Sequence, residues 1–516
     1  MEKSKNEFLE LVSTLYILTV LVAVPLYTGG SYWKLGDKKY LLFRNASIVC
    51  IGVWLCVIVG SFFVKLLKEV LNDSGATAVR TLMADRENIT WSAMDICMLA
   101  YGGCVLLSTL CSNYKQTAWF GYMDWYMGAI SQLMFVGAYF LISRYYVAKA
   151  WVIYLCEAAF TAVIIIGILN RLGFDPVHLY VGFQTTDWEY SHMLSTIGNI
   201  NWFCGYCSVM LAFPLTGYLY AKGKCKQIVL YLCSVLGLTL LCIQGSTIGP
   251  IIAVVGMGIC LLAGLKNAQC FQRGLLLLLG VCLLFPAMGR LISFRNTQAA
   301  TPVDGDIYAK MLWNIWWLMA FVISIVYILH SKLHGRAQKN VSCTFVILGI
   351  ISAVSIIGYE LWGLSGTEMY TWGSGRGGLW QAALTGFFNG DRKQKLWGAG
   401  PDCFAEYIYA MPEASSWIRM EGHWANSIFA NAHNEWLNQL VNLGVSGMVV
   451  YLSIFLCGFK RYRGMLLGVL ALGMYGAGSL VGFQQVLSTP LLFAVLGICE
   501  NRCRMAEIAK HLTDEE

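Results

Sequence analysis

The chain has 516 residues, of which 57% are hydrophobic and only 13% charged, whereas soluble domains carry about a quarter charged residues. The apolar material falls into many separate stretches, so the membrane part is the fold itself and leaves no room for a separate soluble catalytic domain. The net charge of +7 does not point to nucleic acid, because the Lys and Arg residues sit in short loops and no basic patch with interleaved aromatics stands on a soluble face.

The N-terminus, MEKSKNEF, runs into an apolar stretch from Leu9 to Tyr27 that lacks a small-residue cleavage site before the next hydrophobic segment; it reads as a retained first helix, not a signal peptide. Windows of about 20 apolar residues place about fourteen helices, near 8–28, 41–65, 93–111, 121–142, 148–169, 200–220, 227–244, 248–265, 274–291, 310–330, 343–362, 435–457, 464–481 and 486–499. With Lys3 and Lys5 on the cytoplasmic side, six basic loops fall inside. They hold Lys65, Lys68, Arg80 and Arg86; Arg144 and Lys149; Lys222, Lys224 and Lys226; Lys266 and Arg273; Lys332, Arg336 and Lys339; and Lys460, Arg461 and Arg463. This satisfies the positive-inside rule, with Lys34, Lys38 and Lys39 as the outward exception. The expected fold is an all-α polytopic membrane protein with both termini cytoplasmic. Residues 1–362 form transmembrane helices 1–11, 363–434 one large extracytoplasmic loop, 435–499 helices 12–14, and 500–516 an inner-side tail.

Of 19 cysteines, most lie inside apolar stretches and behave as small hydrophobes. Cys403 stands essentially alone in the outer loops, with Cys111 at a helix end, so no disulfide framework is available. The CxxC of Cys204 and Cys207 lies within an apolar helix and reads as packing.

Two longer segments face outward, Asn170 to Asn199 and Gly363 to Asn434; loops this long are usually functional or disordered. The second carries Trp372, Trp380, Phe387, Phe388, Trp397, Phe404, Tyr407, Trp417 and Trp424, too many aromatics for disorder, and should fold on the membrane surface. Arg376 and Trp380 are four apart and share a face if helical. Such a pair suits an anionic sugar derivative, or is a surface Arg packed on Trp. Gly398 and Gly400, before Pro401 and Asp402, allow a tight turn and close approach to a ligand, or simply a turn. His433 and Asn434 open the next helix, with Asn431 or Asn434 as N-cap. The positive helix end disfavours an imidazolium, so His433 should stay neutral and able to accept a proton, unless it is a cap or an interfacial side chain.

Together and in this order, these pieces resemble the O-antigen ligase and polymerase superfamily, the WaaL-type ligases and Wzy-type polymerases. The pattern reads here as Arg376, Trp380, Gly398 and Gly400, His433 and Asn434, then Gly444 and Gly447. A weaker likeness lies in GNINWFCGYCSVMLAFPL, where Gly198, Asn199 and Asn201 open a helix. Where family members carry Ser-Arg, this chain has Ser246 and Thr247, so Arg290 or Arg295 is the candidate for a second cation.

The resemblance implies a GT-C-like architecture in the bacterial cytoplasmic membrane. It also implies a metal-independent, inverting glycosyltransferase without cofactor, whose donor is a polyprenyl-diphosphate-linked oligosaccharide. A glycan, lipid or protein would be the acceptor, membrane lipids the surroundings, and other polysaccharide-assembly proteins possible partners. Arg376 would hold the diphosphate, and His433 would activate the acceptor hydroxyl or contact the phosphate. Asn434, Trp380, Gly398, Gly400 and Arg290 would bind substrate. Between Gly363 and Asn434 five Lys or Arg face six Asp or Glu, so binding must rest on particular side chains; Arg392 and Lys393 are secondary candidates or solvated charges. His178, His192, His423 and His433 lack metal-ligand spacing.

The main rival is a lipid-linked oligosaccharide flippase or other polysaccharide transporter. It should show internal repeats and ionisable residues at mid-membrane, but no clear repeat appears. Arg44, Asp124 and Glu157 lie near helix ends or could pair with one another. A scaffold for an assembly complex would tolerate replacement of Arg376 and His433, and an intramembrane protease is disfavoured by the lack of GxGD or HExxH.

Overall fold

The computed structural model describes residues 2–72, 91–184, 187–295, 313–363, 372–419 and 428–514. Within these, the strands form a single two-residue antiparallel ladder, Met193–Leu194 against Gly198–Asn199, and the rest of the regular structure is helical. Among the described residues, ten helices are long and apolar enough to cross a bilayer: Ser4–Leu26, Leu35–Leu67, Ala93–Cys111, Ala150–Arg171, Ile200–Tyr220, Lys224–Ile243, Ala268–Ile292, Ile315–Lys332, Gly335–Gly358 and Glu435–Arg461. Four further predicted spans also lie on helices. Ile248–Gly264 and Leu466–Gly478 are apolar but short, Ala129–Tyr145 is a 17-residue helix, and the last occupies the first turns of Thr489–Asp514. The chain is an all-α, multi-pass membrane protein.

The outer faces of these helices show why. In Gly335–Gly358 only 11% of the most apolar window is buried by protein, and Ile347, Leu348, Ile350, Ile351, Val354, Ile356 and Ile357 are each more than half exposed. A helix that is aliphatic nearly all round is a membrane span, its hydrocarbon partner being lipid. Inside the bundle the packing is aromatic and close. Tyr101, Phe135, Phe493 and Tyr451 form a series of tilted rings with centroids 5.5–6.0 Å apart, uniting the Ala93–Cys111, Ala129–Tyr145, Glu435–Arg461 and Thr489–Asp514 helices.

At one end of this bundle the charges close on themselves. Asp95, in the first turn of Ala93–Cys111, accepts from Tyr139 Oη at 2.9 Å and Arg144 Nη2 at 3.0 Å, and pairs with Arg504. Glu500 holds Arg461 at 3.0 Å and Arg504 at 3.5 Å, and Arg461 also pairs with Glu507. The three charges singled out in the sequence do not pair with one another: Arg44 reaches the Asn45 side chain, Asp124 stands in a turn before Ala129–Tyr145, and Glu157 faces Lys226.

Two of the three lysines that stood apart from the basic loops are held by backbone carbonyls. Lys39 is buried and donates to the carbonyls of Val24 and Pro25 at 2.6 and 2.9 Å, and Lys38 donates to Gly29 O. Lys39 thereby caps the end of the first span, whose last carbonyls have no intrahelical partner, while Lys38 holds the chain just beyond it. Arg80 and Arg86 lie outside the described residues, as do His423 and Trp424.

Candidate active site

The segment between Gly363 and Asn434 folds, in its described parts, into four helices, Trp372–Asn389, Arg392–Trp397, Phe404–Tyr409 and Pro412–Arg419. Leu379, Ala383, Ala399, Phe404, Ile408, Ile418 and Val441 give it a small core of its own. Its fixing point is a break in the neighbouring membrane helix. At Gly444 the Glu435–Arg461 helix departs to φ 69°, ψ −171°, which releases carbonyls from the helical ladder. Those of Val441 and Asn442 accept instead from Ala399 N and Gly400 N, both at 2.9 Å. A Cβ on Gly398 would strike the backbone of Asn442 and Leu443, and one on Gly444 the backbone of Leu396. Only glycine permits this approach, made with φ 77° at Gly398 and 124° at Gly400. In this structure the two loop glycines hold the loop to the membrane helix.

Asp402 follows. Its carboxylate is buried and accepts from the backbone N–H of Tyr122 at 2.7 Å and of Met127 at 2.9 Å, tying the loop to the turn before Ala129–Tyr145. Burial outweighs those two donors and pushes its pKa up to about 7.

Asn434 is the N-cap of Glu435–Arg461, its side chain accepting from Leu437 N at 3.1 Å. Asn431 instead accepts from His433 N at 3.0 Å, which helps to hold His433 in the left-handed region, at φ 49°. The His433 ring then stands edge-on to Phe483 at 4.9 Å and to Phe429 at 5.9 Å, and Phe483 in turn meets Trp125 at 4.8 Å. Neither ring nitrogen is hydrogen-bonded to a described residue. His433 is neutral, as expected, but mainly for another reason than the helix dipole: burial first, and the Arg376 guanidinium second, push its pKa down to about 3.

Arg376 lies on Trp372–Asn389 and is 9% exposed. Its Nε donates to Val481 O at 3.1 Å and Nη1 to Gly373 O at 2.6 Å. Nη2 has no partner among the described residues, and no carboxylate there pairs with this cation. Burial depresses its pKa. Arg376 and His433, 57 positions apart, are close enough for the charge of one to act on the other.

Beside them lies a narrow crevice of about 20 Å³, room for about one water molecule, lined by Asn201, Ser208, Glu435, Tyr475, Ser479 and Ser488 among others. Glu435 is 1% exposed; it pairs with Tyr451 Oη and accepts from Ser479 Oγ at 3.0 Å, while its N–H donates to Ser479 O at 2.9 Å. Ser246 donates to Asn201 Oδ1 at 2.6 Å, so the two halves of the weaker likeness meet at the crevice wall.

Other predicted residues lie elsewhere. Trp380 packs edge-on against Trp372 at 5.1 Å, and its indole N–H is buried with no partner among the described residues. Arg392 and Lys393 are exposed at the start of Arg392–Trp397, Thr247 is exposed, and Arg290 is exposed near the end of Ala268–Arg295. The Arg295 side chain lies outside the described residues. Instead Arg171, buried at the end of Ala150–Arg171, reaches the turn before Thr247 by donating to Gln244 O. Sequence reasoning missed Glu435, Asp402, Arg171 and the 479–488 segment. Glu435 had a signal, an acid directly after His433 and Asn434 at the mouth of an apolar helix.

Neither a protein-family model nor a curated protein matches this sequence significantly.

Proposed function

We propose that this protein is a membrane glycosyltransferase of bacterial cell-surface polysaccharide assembly. It polymerises or ligates glycan from a polyprenyl-diphosphate-linked donor on the outer face of the cytoplasmic membrane. The observation that carries this reading is a buried arginine, Arg376, with no carboxylate partner among the described residues, set beside a neutral histidine, His433. A buried cation left uncompensated is costly, and a bound anion is what would balance it.

In the reaction, the acceptor hydroxyl attacks the anomeric carbon as the bond to the diphosphate breaks, inverting the centre. Arg376 offers Nη2 to the leaving diphosphate, which needs charge stabilisation more than a proton. His433 takes the hydroxyl proton on a free ring nitrogen. Its low basicity in the empty site follows partly from Arg376; a diphosphate on the guanidinium offsets that charge, so the base strengthens when donor is bound. The turn of Gly398 and Gly400 keeps the loop in register, and Asn434 fixes the helix end that presents His433.

The test is turnover of purified protein with a polyprenyl-diphosphate-linked oligosaccharide as sole substrate, beside Arg376→Ala and His433→Ala. A product ladder lost in both variants establishes a polymerase. Transfer only after an acceptor extract is added establishes a ligase, and no turnover under either condition returns the protein to the transporter class.

A further inference from the structure

At the end of the bundle opposite Arg376 and His433, the last turn of Glu435–Arg461 lies beside the first turn of Ala93–Cys111. Cys97 Sγ is 3.6 Å from Cys457 Sγ and accepts from Ser453 Oγ at 3.2 Å, so the two helices touch along this line. Where the contact ends, a cavity of about 430 Å³ opens, lined by Ser92, Ala93, Cys457, Lys460, Arg461 and Arg463.

Its charge is one-sided. Arg461 is already neutralised by Glu500 and Glu507. Lys460 and Arg463 are exposed, and neither forms an ion pair with a described residue. Asp95, the nearest acid in the first turn of Ala93–Cys111, is held by Arg144, Arg504 and the Ser92 N–H. The positive end of that helix adds to the same field.

The approach to the cavity is aliphatic. Val449, Leu452, Leu456 and Phe459 follow one another at spacings of three and four and are 60%, 40%, 61% and 38% exposed, a stripe along one helical face that ends at Lys460. Ile96 and Leu99, 60% and 50% exposed, line the neighbouring helix.

We infer that this cavity binds the phosphate headgroup of an anionic phospholipid, with Lys460 and Arg463 on the phosphate and the acyl chains along the two aliphatic faces. A free anion would use the cations but not the stripes; a neutral lipid would use the stripes but leave both cations unmatched. The inference is independent of the transferase proposal, since it concerns the far end of the helix and is read by lipid binding.

The experiment reconstitutes the full chain in nanodiscs of phosphatidylcholine with graded phosphatidylglycerol, and counts retained lipids by native mass spectrometry. Each basic residue near an anionic surface contributes roughly fivefold in affinity. Lys460→Gln/Arg463→Gln should therefore lose the preference for phosphatidylglycerol by roughly 10- to 30-fold. Both side chains are exposed, so the fold should be unaffected. Lys222→Gln/Lys224→Gln, which changes the net charge equally at another basic loop, should leave the preference unchanged. Equal retention by the wild type and the first variant, or an equal loss in the second, overturns the proposal. So does displacement of the bound lipid by millimolar inorganic phosphate, which would make this a free-anion site.

Discussion

The two ends of the Glu435–Arg461 helix treat arginine in opposite ways. At its last turn Arg461, and nearby Arg144 and Arg504, are matched by Asp95, Glu500 and Glu507. At its first turn Arg376 meets only the carbonyls of Val481 and Gly373. Carbonyls satisfy donors but leave the charge. A closed set of ions contributes to the fold, whereas the cation at the first turn lacks the counter-charge that the proposed anionic donor would supply.

The largest effects should come from the unmatched end. Arg376→Ala is expected to lower turnover by roughly 10²–10³-fold and His433→Ala by roughly 10²–10⁴-fold, with the unfolding midpoint of Arg376→Ala no lower than wild type. A falling midpoint would move Arg376 to the structural class. At the matched end the expectation reverses. Asp95→Asn should destabilise the protein by about 3 kcal/mol, because it removes the buried carboxylate that Arg144 and Arg504 share while Glu500 still holds Arg504, and turnover per folded molecule is retained; thermal unfolding and assay of the surviving fraction measure both.

pH sharpens the contrast. Asp402 titrates higher folded, at about 7, than its ordinary value of 3.8, so its contribution to stability is full below 3.8 and is lost as pH rises toward 7. Asp402→Asn can accept the same two N–H groups, tolerates the φ of 60°, and should flatten the midpoint-against-pH curve across that window. For His433, neutral down to about pH 3, the acid limb of kcat/KM should lie well below the ordinary histidine value of 6.5. Arg376→Gln should move that limb upward in a pH series of its residual activity. Smallest of all, Arg392→Gln and Lys393→Gln, on exposed positions, should change turnover by no more than about twofold, as for surface charges.

The membrane character and the helical path were legible because hydrocarbon demands long apolar runs, and these show in any window. Ala129–Tyr145 and Leu466–Gly478 were harder to bound, since interior helices are relieved of that demand by protein neighbours. Arg376, His433 and the two glycines could be picked out by pattern, and the structure brings the first two together. What the pattern could not give was partnership. Lys39 looked like a misplaced loop charge until the carbonyls of Val24 and Pro25 came into view. Glu435, Asp95 and Arg171 are single charges at helix ends, a position that attracts both solvated and buried groups, and only three-dimensional packing separates the two. Val481 and Phe483 carry no chemical signal at all, since one contributes a carbonyl and the other a ring edge.

The break at Gly444 has a mechanical side. Ala399 and Gly400 are laced to Val441 and Asn442, Ser446 donates to Leu396 O at 2.6 Å, and Ser108 and Ser112 reach in from a third helix to Asn442 O and Ala399 O at 2.8 and 2.5 Å. Lifting residues 396–400 away would sever four of these five bonds, leaving only that between Ser108 and Asn442. This part of the outer loop is therefore a rivet and not a flap. If the proposed transfer takes place here, a long glycan would have to thread past a fixed wall on that side, and any slack for successive sugar units would be found on the opposite rim, where Phe483 leans on His433.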